Sequence, residues 1–313
     1  MSHYRTEPWD FVKHGVSPSF VSQFLRCKYT TYLKYVEGWK SNRTSEPLQF
    51  GSAVHYVFER AYKHKTVPSN KKIAKWLAKY EKAHSDVFSN ERYQVALGTA
   101  NVVLQEYFRY YANDFSQMQD GSLVWEATEH RFELPVNLGA RDGRTVKLNG
   151  IVDGIYRHTD GRWILDTKCK GRVNPGEIFD GFPMSFQFNA YMYYLYKRYN
   201  EVPTGVVCNV VRIPQIKQGK QSTRAYMQRV KEDVAKRPDF YFMRPSYRIT
   251  KDELKYWVKR QLRPILIDIA DWVNNDYQPR YANETGLMVG YRQSDYFDAV
   301  CQGDFTTLVK KGK

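Results

Sequence analysis

Apolar residues recur at helical spacing over the first 120 positions and at strand spacing after them. Residues 1–16 read as an irregular lead-in. Ser17-Pro18-Ser19 is a helix start, a Ser cap followed by Pro in the first turn. Phe20, Val21, Phe24, Leu25, Tyr29 and Leu33 then recur at helical spacing, and Gly38 is placed to stop the helix. A second helix is predicted from Leu48 to about Tyr62, with Phe50, Val54, Val57, Phe58 and Ala61 on one face. Residues 70–117 read as two more helices, with no Pro between Pro68 and Pro135 to break them.

The period changes at Leu123. Leu123-Val124-Trp125 through Phe132-Glu133-Leu134 predicts a strand. Thr145–Leu148 and Ile151–Tyr156 predict a second, bent at Gly150. The turn His158-Thr159-Asp160-Gly161 leads into a third, Arg162–Lys168, so residues 123–169 read as an antiparallel meander. A helix is predicted over Ser185–Tyr199 and a strand over Gly205–Val211. Helices follow at 222–236 and 250–276, with a short strand Tyr241–Arg244 between them. From Gln278 the periodicity is weak. This order of elements is that of an α/β or α+β chain.

Composition adds a partner. Hydrophobic residues make up 42% of the 313, enough for a sizeable core. Lys and Arg number 48 against 33 Asp and Glu, a surplus of 15. That surplus favours a polyanion, nucleic acid first, with a membrane surface or an acidic protein as alternatives. No segment approaches the ~18 apolar residues of a membrane span. Met1-Ser2-His3-Tyr4-Arg5 leads into Glu7 and Asp10 without an apolar signal core, so a cytoplasmic location is expected. Cys27, Cys169, Cys208 and Cys301 lie far apart, with no CxxC pair to mark zinc.

The candidate chemistry lies in the meander. Asp166 and Lys168 stand two apart on a strand and so share a face. An ordinary surface ion pair has the same spacing. Asp153 projects from the apolar stretch Ile151-Val152-Asp153-Gly154-Ile155, where a carboxylate is costly unless paired or metal-bound. A turn residue beside Gly154 is the alternative. Two carboxylates on adjacent strands, with a backbone carbonyl, make an oxygen-rich site suited to Mg2+ or Mn2+. A nearby Lys can position a water or stabilise charge on a phosphate. Gly51 and His55, and Gln187 and Tyr191, are each four apart on predicted helices. Such a His can ligate metal, or simply pack in a core.

In chain order these residues resemble the PD-(D/E)XK nuclease superfamily. Within it they are most like the RecB-type branch, which includes CRISPR-associated adaptation nucleases and many phage-encoded exonucleases. The GxxxH element is Gly51-Ser52-Ala53-Val54-His55, and the GxxD element is Gly150-Ile151-Val152-Asp153. The DxK element is Asp166-Thr167-Lys168, and the QxxxY element is Gln187-Phe188-Asn189-Ala190-Tyr191. The resemblance implies a restriction-endonuclease-like α/β core, a central mixed sheet flanked by helices, with an N-terminal helical region. It divides the chain into a helical region 1–120, a nuclease core 121–215, and a C-terminal helical region and tail 216–313. His55, Asp153, Asp166 and the carbonyl of Thr167 would ligate Mg2+ or Mn2+. Lys168 would activate or orient the attacking water, and Gln187 and Tyr191 would support the site. Glu129 is either a carboxylate that backs the ligands or holds a second metal, or an exposed strand residue.

The implied activity is metal-dependent hydrolysis of DNA, foremost as an exonuclease of phage or mobile-element recombination, acting in the host cytoplasm if phage-encoded. A CRISPR-type end-trimming nuclease, or a non-catalytic binding module on a degenerate core, are the alternatives. No GxxxxGK[ST] loop is present, so the chain is expected to have no motor of its own and to act alone, as an oligomer, or beside a separate helicase or annealing protein. The expected partners are DNA and a helicase, annealing protein or single-strand-binding protein, or further copies of the chain. Basic residues over 212–237 and 244–263, interleaved with Tyr and Phe, are candidates for a DNA-tracking surface or for solvated helix faces. Many relatives hold a [4Fe–4S] cluster with one Cys before the core and three after it. Here Cys27 and Cys301 fit, but Ser294 and the pair Leu287 and Met288 stand near the other positions in the tail from Tyr291 to Cys301 and before it, so no cluster is expected.

Overall fold

Two apolar runs, Trp163-Ile164-Leu165 and Val206–Val211, form the middle of the molecule. They lie in a computed structural model that describes residues 9–42, 44–174, 176, 180–289 and 292–310. Met1–Arg5, Glu7 and Tyr291 fall outside the described residues.

Strand β1 (Trp39–Ser41) stands apart from the main sheet. The sheet opens with β2 (Val124–Asn137), β3 (Thr145–His158) and β4 (Gly161–Lys170), paired antiparallel in that order. β5 (Gly205–Arg212) adds parallel to β4, with Asp166 opposite Cys208 and Thr167 opposite Asn209. A parallel pair needs a crossover, and the helix Phe186–Tyr199 supplies it. Two short strands, β6 (Phe242–Met243) and β7 (Ser246–Arg248), pair antiparallel with β5. Outside the sheet, β8 (Met288–Val289) pairs with β9 (Arg292–Gln293), and β10 (Leu308–Lys310) returns to β1.

The central strands are buried on both faces, which is why β5 reads as a nearly unbroken apolar run. On one face Ile155, Ile164, Val206 and Val210 pack with helices Pro18–Arg26, Phe186–Tyr199 and Arg263–Asn274. On the other, Leu165 and Val211 pack with helices Glu46–His64, Glu91–Tyr110 and Thr223–Lys236. The result is the expected α/β arrangement, a mixed sheet with helices on both sides. Among the described residues no helix is long and apolar enough to cross a membrane.

Several elements differ in detail from the sequence reading. The first predicted helix breaks at Cys27, whose backbone is extended and whose Sγ accepts from Thr30 N to start the next turn. Residues 70–117 divide further, into Asn70–Ala83, Ser85–Phe88, Glu91–Tyr110 and Ala112–Asp120. One break is set by Asn90, whose side chain caps Arg92 N at 3.0 Å. β3 runs straight through Gly150. The helix predicted over 250–276 contains a π turn, Val258–Leu262, just before Pro264, which lacks the N–H a regular helix would use.

Candidate active site

The site begins where β3 and β4 part. Their ladder runs from His158↔Gly161 to Gly154↔Leu165, and beyond Leu165 strand β4 pairs with β5 alone. In the opening, Oδ2 of Asp153 accepts from the N–H of Thr167 at 2.7 Å. A carboxylate thus takes the place of a ladder carbonyl. Asp166 is 1% exposed, and its Oδ2 lies 2.8 Å from Nζ of Lys168. Among the described residues this buried oxygen has the ion pair with Lys168 and no hydrogen-bond partner.

A helix from each side of the sheet reaches the opening. Glu46–His64, capped by Ser45 Oγ, carries His55. Its Nδ1 lies 3.6 Å from Oδ2 of Asp153 and 3.7 Å from Oε1 of Glu129. Glu129 is turned inward by a bulge between Trp125 and Ala127 and by its own left-handed φ of 49°. His55, Glu129 and Asp153 each present a ligand atom within 4.8 Å of the others. Burial works against charge on His55, but Asp153, Glu129 and Asp166 outweigh it and push the imidazolium up to about 9. Its side chain is 35% exposed, so solvent screens part of that field. Burial raises the carboxyls of Asp153 and Asp166, and the neighbouring carboxylates raise them further, against the pull of His55 and Lys168.

The helix Phe186–Tyr199 brings the other wall, its first turn capped by Ser185 Oγ. Lys168 Nζ donates to Oε1 of Gln187 at 2.9 Å, and Gln187 Nε2 donates to Oδ1 of Asp166 at 3.2 Å and to Tyr191 OH at 2.8 Å. Burial opposes the ammonium of Lys168, but Asp166 outweighs burial and keeps it charged. Gly150 makes this closeness possible: a Cβ there would stand 2.7 Å from the Phe132 ring and 3.3 Å from that of Tyr191.

These groups line one cleft of about 730 Å³. His55, Glu129, Asp153, Asp166, Thr167, Lys168, Gln187 and Tyr191 all border it. So do Lys13, Ser17, Ser19 and Arg131, so anionic and cationic side chains border the same space. Carboxylate oxygens with one imidazole nitrogen are a donor set for a hard divalent cation. Oδ2 of Asp166, ion-paired with Lys168 but with no hydrogen-bond partner among the described residues, fits the same reading. Cys169 does not border the cleft: its Cβ lies beside Gly51, and burial pushes its thiol up to about 12.

The seven residues singled out from the sequence therefore share one cleft with Glu129. Lys13 and Arg131 carried no signal beyond their charge. Arg244, in a stretch considered for DNA tracking, turns inward instead to Asp114, Tyr62 and Tyr107. In the tail, Cys27 is buried and donates to the carbonyl of Tyr281 at 3.8 Å, with Gly286 packed on its Cβ, while Cys301 is exposed. Ser294 Oγ is buried without a hydrogen-bond partner among the described residues.

Known proteins resemble the chain as follows. The family pattern of the PD-(D/E)XK nuclease superfamily matches residues 15–281. A component of the ATP-dependent helicase/deoxyribonuclease from Streptococcus agalactiae, in its serotypes Ia, V and III, is 29% identical over 150 residues. That match covers 47% of this chain and 13% of each relative, so the chain spans a small part of the length of these relatives. The crystal structure of SSO0001 covers 84% of this chain and 88% of its own at 12% identity, a loose likeness with a TM-score of 0.28.

Proposed function

The chain belongs to the PD-(D/E)XK nuclease superfamily, and from that premise we propose that it is a divalent-metal-dependent DNA exonuclease. The observation that carries this reading is the meeting of His55, Glu129 and Asp153 beside the buried Asp166–Lys168 pair. His55, Glu129, Asp153, Asp166 and the carbonyl of Thr167 would hold Mg2+ or Mn2+. When bound, such an ion supplies Lewis acidity at a phosphoryl oxygen and makes water a better nucleophile.

The chain's own groups do the rest. Lys168, kept charged and held by Gln187, orients the attacking water and stabilises negative charge as it builds on the scissile phosphate. Being protonated, it serves as a donor rather than a base. Gln187 and Tyr191 fix the direction of that ammonium. Lys13 and Arg131 face the flanking phosphates from the same cleft, and the net charge of +15 draws DNA toward it. A helicase, an annealing protein or a single-strand-binding protein is the partner proposed for this activity.

End-labelled linear DNA and covalently closed circles, each single- and double-stranded, test this with Mg2+, Mn2+ or EDTA. Linear substrates should shorten from an end with either ion and not in EDTA, while circles persist. Cleaved circles would make the enzyme an endonuclease. Equal cleavage in EDTA would remove the metal from the mechanism.

A further inference from the structure

The sheet face opposite the Gln187 helix carries a polar network within an apolar core. Arg244 donates from Nη1 to Oδ1 of Asp114 at 3.0 Å, and its Nη2 lies 2.7 Å from Oδ2. The same Nη2 reaches the hydroxyls of Tyr107 at 2.8 Å and Tyr62 at 3.1 Å. The guanidinium lies 3.6 Å from the centre of the Tyr111 ring. Oδ1 of Asn209 accepts from Arg244 Nε at 3.2 Å and from Tyr107 OH at 2.9 Å. Asn209 then donates to Oγ1 of Thr167 at 3.2 Å, across the β4–β5 ladder. Thr167 in turn holds Asp153 by its N–H.

Asn209 is wholly buried in β5, where its neighbours through Val211 are apolar. A buried ion pair with its polar satellites loses solvation that apolar packing of the same shape would not. What it supplies is direction: each satisfied hydrogen bond fixes an orientation. The network ends at the residue between Asp166 and Lys168. It also touches the other ligand-bearing elements. Tyr62 lies two turns beyond His55 on one helix and stacks on Trp125 at 4.1 Å. Trp125 donates to Thr128, the neighbour of Glu129.

We propose that Asn209, Tyr107 and Arg244 are positioning residues that hold Thr167, and through its N–H Asp153, in the geometry of the cleft. The effect expected on metal binding rests on the nuclease reading above; the positioning itself does not.

The full chain is studied with Thr167→Val, which removes the hydroxyl, Thr167→Ser, which keeps it, and Asn209→Leu. Melting, amide exchange at position 167 in EDTA, and Mn2+ titration by calorimetry are measured. Thr167→Ser should match the parent. Thr167→Val and Asn209→Leu should melt within a few degrees of it, exchange the backbone amide at position 167 about tenfold faster, and bind Mn2+ about 10–100-fold more weakly. If Asn209→Leu fails to fold, Tyr107→Phe removes one hydroxyl from the middle of the network and should shift exchange and Mn2+ affinity in the same direction. Folded variants with parental exchange and parental Mn2+ affinity would overturn the proposal. Faster exchange in a protein whose parent binds no Mn2+ would refute the metal reading and leave the positioning standing.

Discussion

Lys168 on β4 donates across 2.9 Å to Oε1 of Gln187 on the crossover helix, so two separate elements share one charge. Gln187→Leu keeps the bulk and removes the acceptor. Cleavage should fall about 10–100-fold, in line with other groups that orient the ligands of a metal site. DNA affinity, read by fluorescence anisotropy, should hold. Parental turnover in this variant would leave the amide without a role.

Asp166→Asn changes one buried carboxylate into a near-isosteric amide. Metal-dependent cleavage should be lost, while DNA binding is kept or strengthened because a negative charge leaves the cleft. Lys168→Met should also abolish cleavage, with a small loss of binding. Single-turnover assays beside anisotropy separate the two effects. Cleavage at the parental rate in Asp166→Asn would sink the assignment of the site.

The two glycines of the candidate motifs should behave oppositely. At Gly51 an added Cβ meets only Cys169 Cβ at 3.6 Å, an ordinary contact. Ala is favoured over Gly in a helix interior by about 0.8–1 kcal/mol, so Gly51→Ala should stabilise by about 0.5–1 kcal/mol. Gly150→Ala drives a Cβ to 2.7 Å from Phe132 and should destabilise by about 1–3 kcal/mol. Urea midpoints at constant slope report both. A destabilised Gly51→Ala would show that this helix position has less room than its neighbours indicate.

Away from the cleft, Arg162 is 5% exposed at its side chain and meets Glu126 through Nε at 2.7 Å and Nη2 at 3.2 Å. Burial pushes the Glu126 carboxyl up, but Arg162 and Arg157 outweigh it and hold it below the ordinary value of 4.5. A depressed carboxyl contributes stability that is present above the unfolded value and lost as pH falls through the folded one. Glu126→Gln leaves Arg162 with Glu201 at 3.0 Å and should cost about 1–3 kcal/mol at pH 7. Denaturant melts should show that gap narrowing below about pH 4.5. A gap of equal size at pH 3.5 and pH 7 would contradict the ion pair's contribution.

Period-2 and i,i+4 spacing made much of the cleft legible. They set Asp166 beside Lys168 on one strand face and Gln187 beside Tyr191 on one helix face. Glu129 was harder, because the bulge after Trp125 and its left-handed backbone reset the alternation that spacing arguments assume. Arg244 was illegible for another reason. Its partner Asp114 is 130 residues away, and a basic residue near a chain bend has the same local pattern whether it faces water or core. The helical breaks at Cys27 and before Pro264 turn on side-chain caps and a missing donor, which hydrophobic periodicity does not register.

The crossover between β4 and β5 has a consequence for the order in which the site assembles. Asp153, Asp166 and Lys168 lie on consecutive strands joined by the turn at Thr159-Asp160, and such hairpins close in about 1–10 μs. Gln187 and Tyr191 ride on the helix that must dock before β5 can pair in parallel, a slower non-local event. The acidic pair therefore meets while the chain is still collapsing, and its ammonium is locked only when the crossover helix docks. A nascent chain paused between β4 and the crossover helix would hold the charges of the site without the amide that aims them.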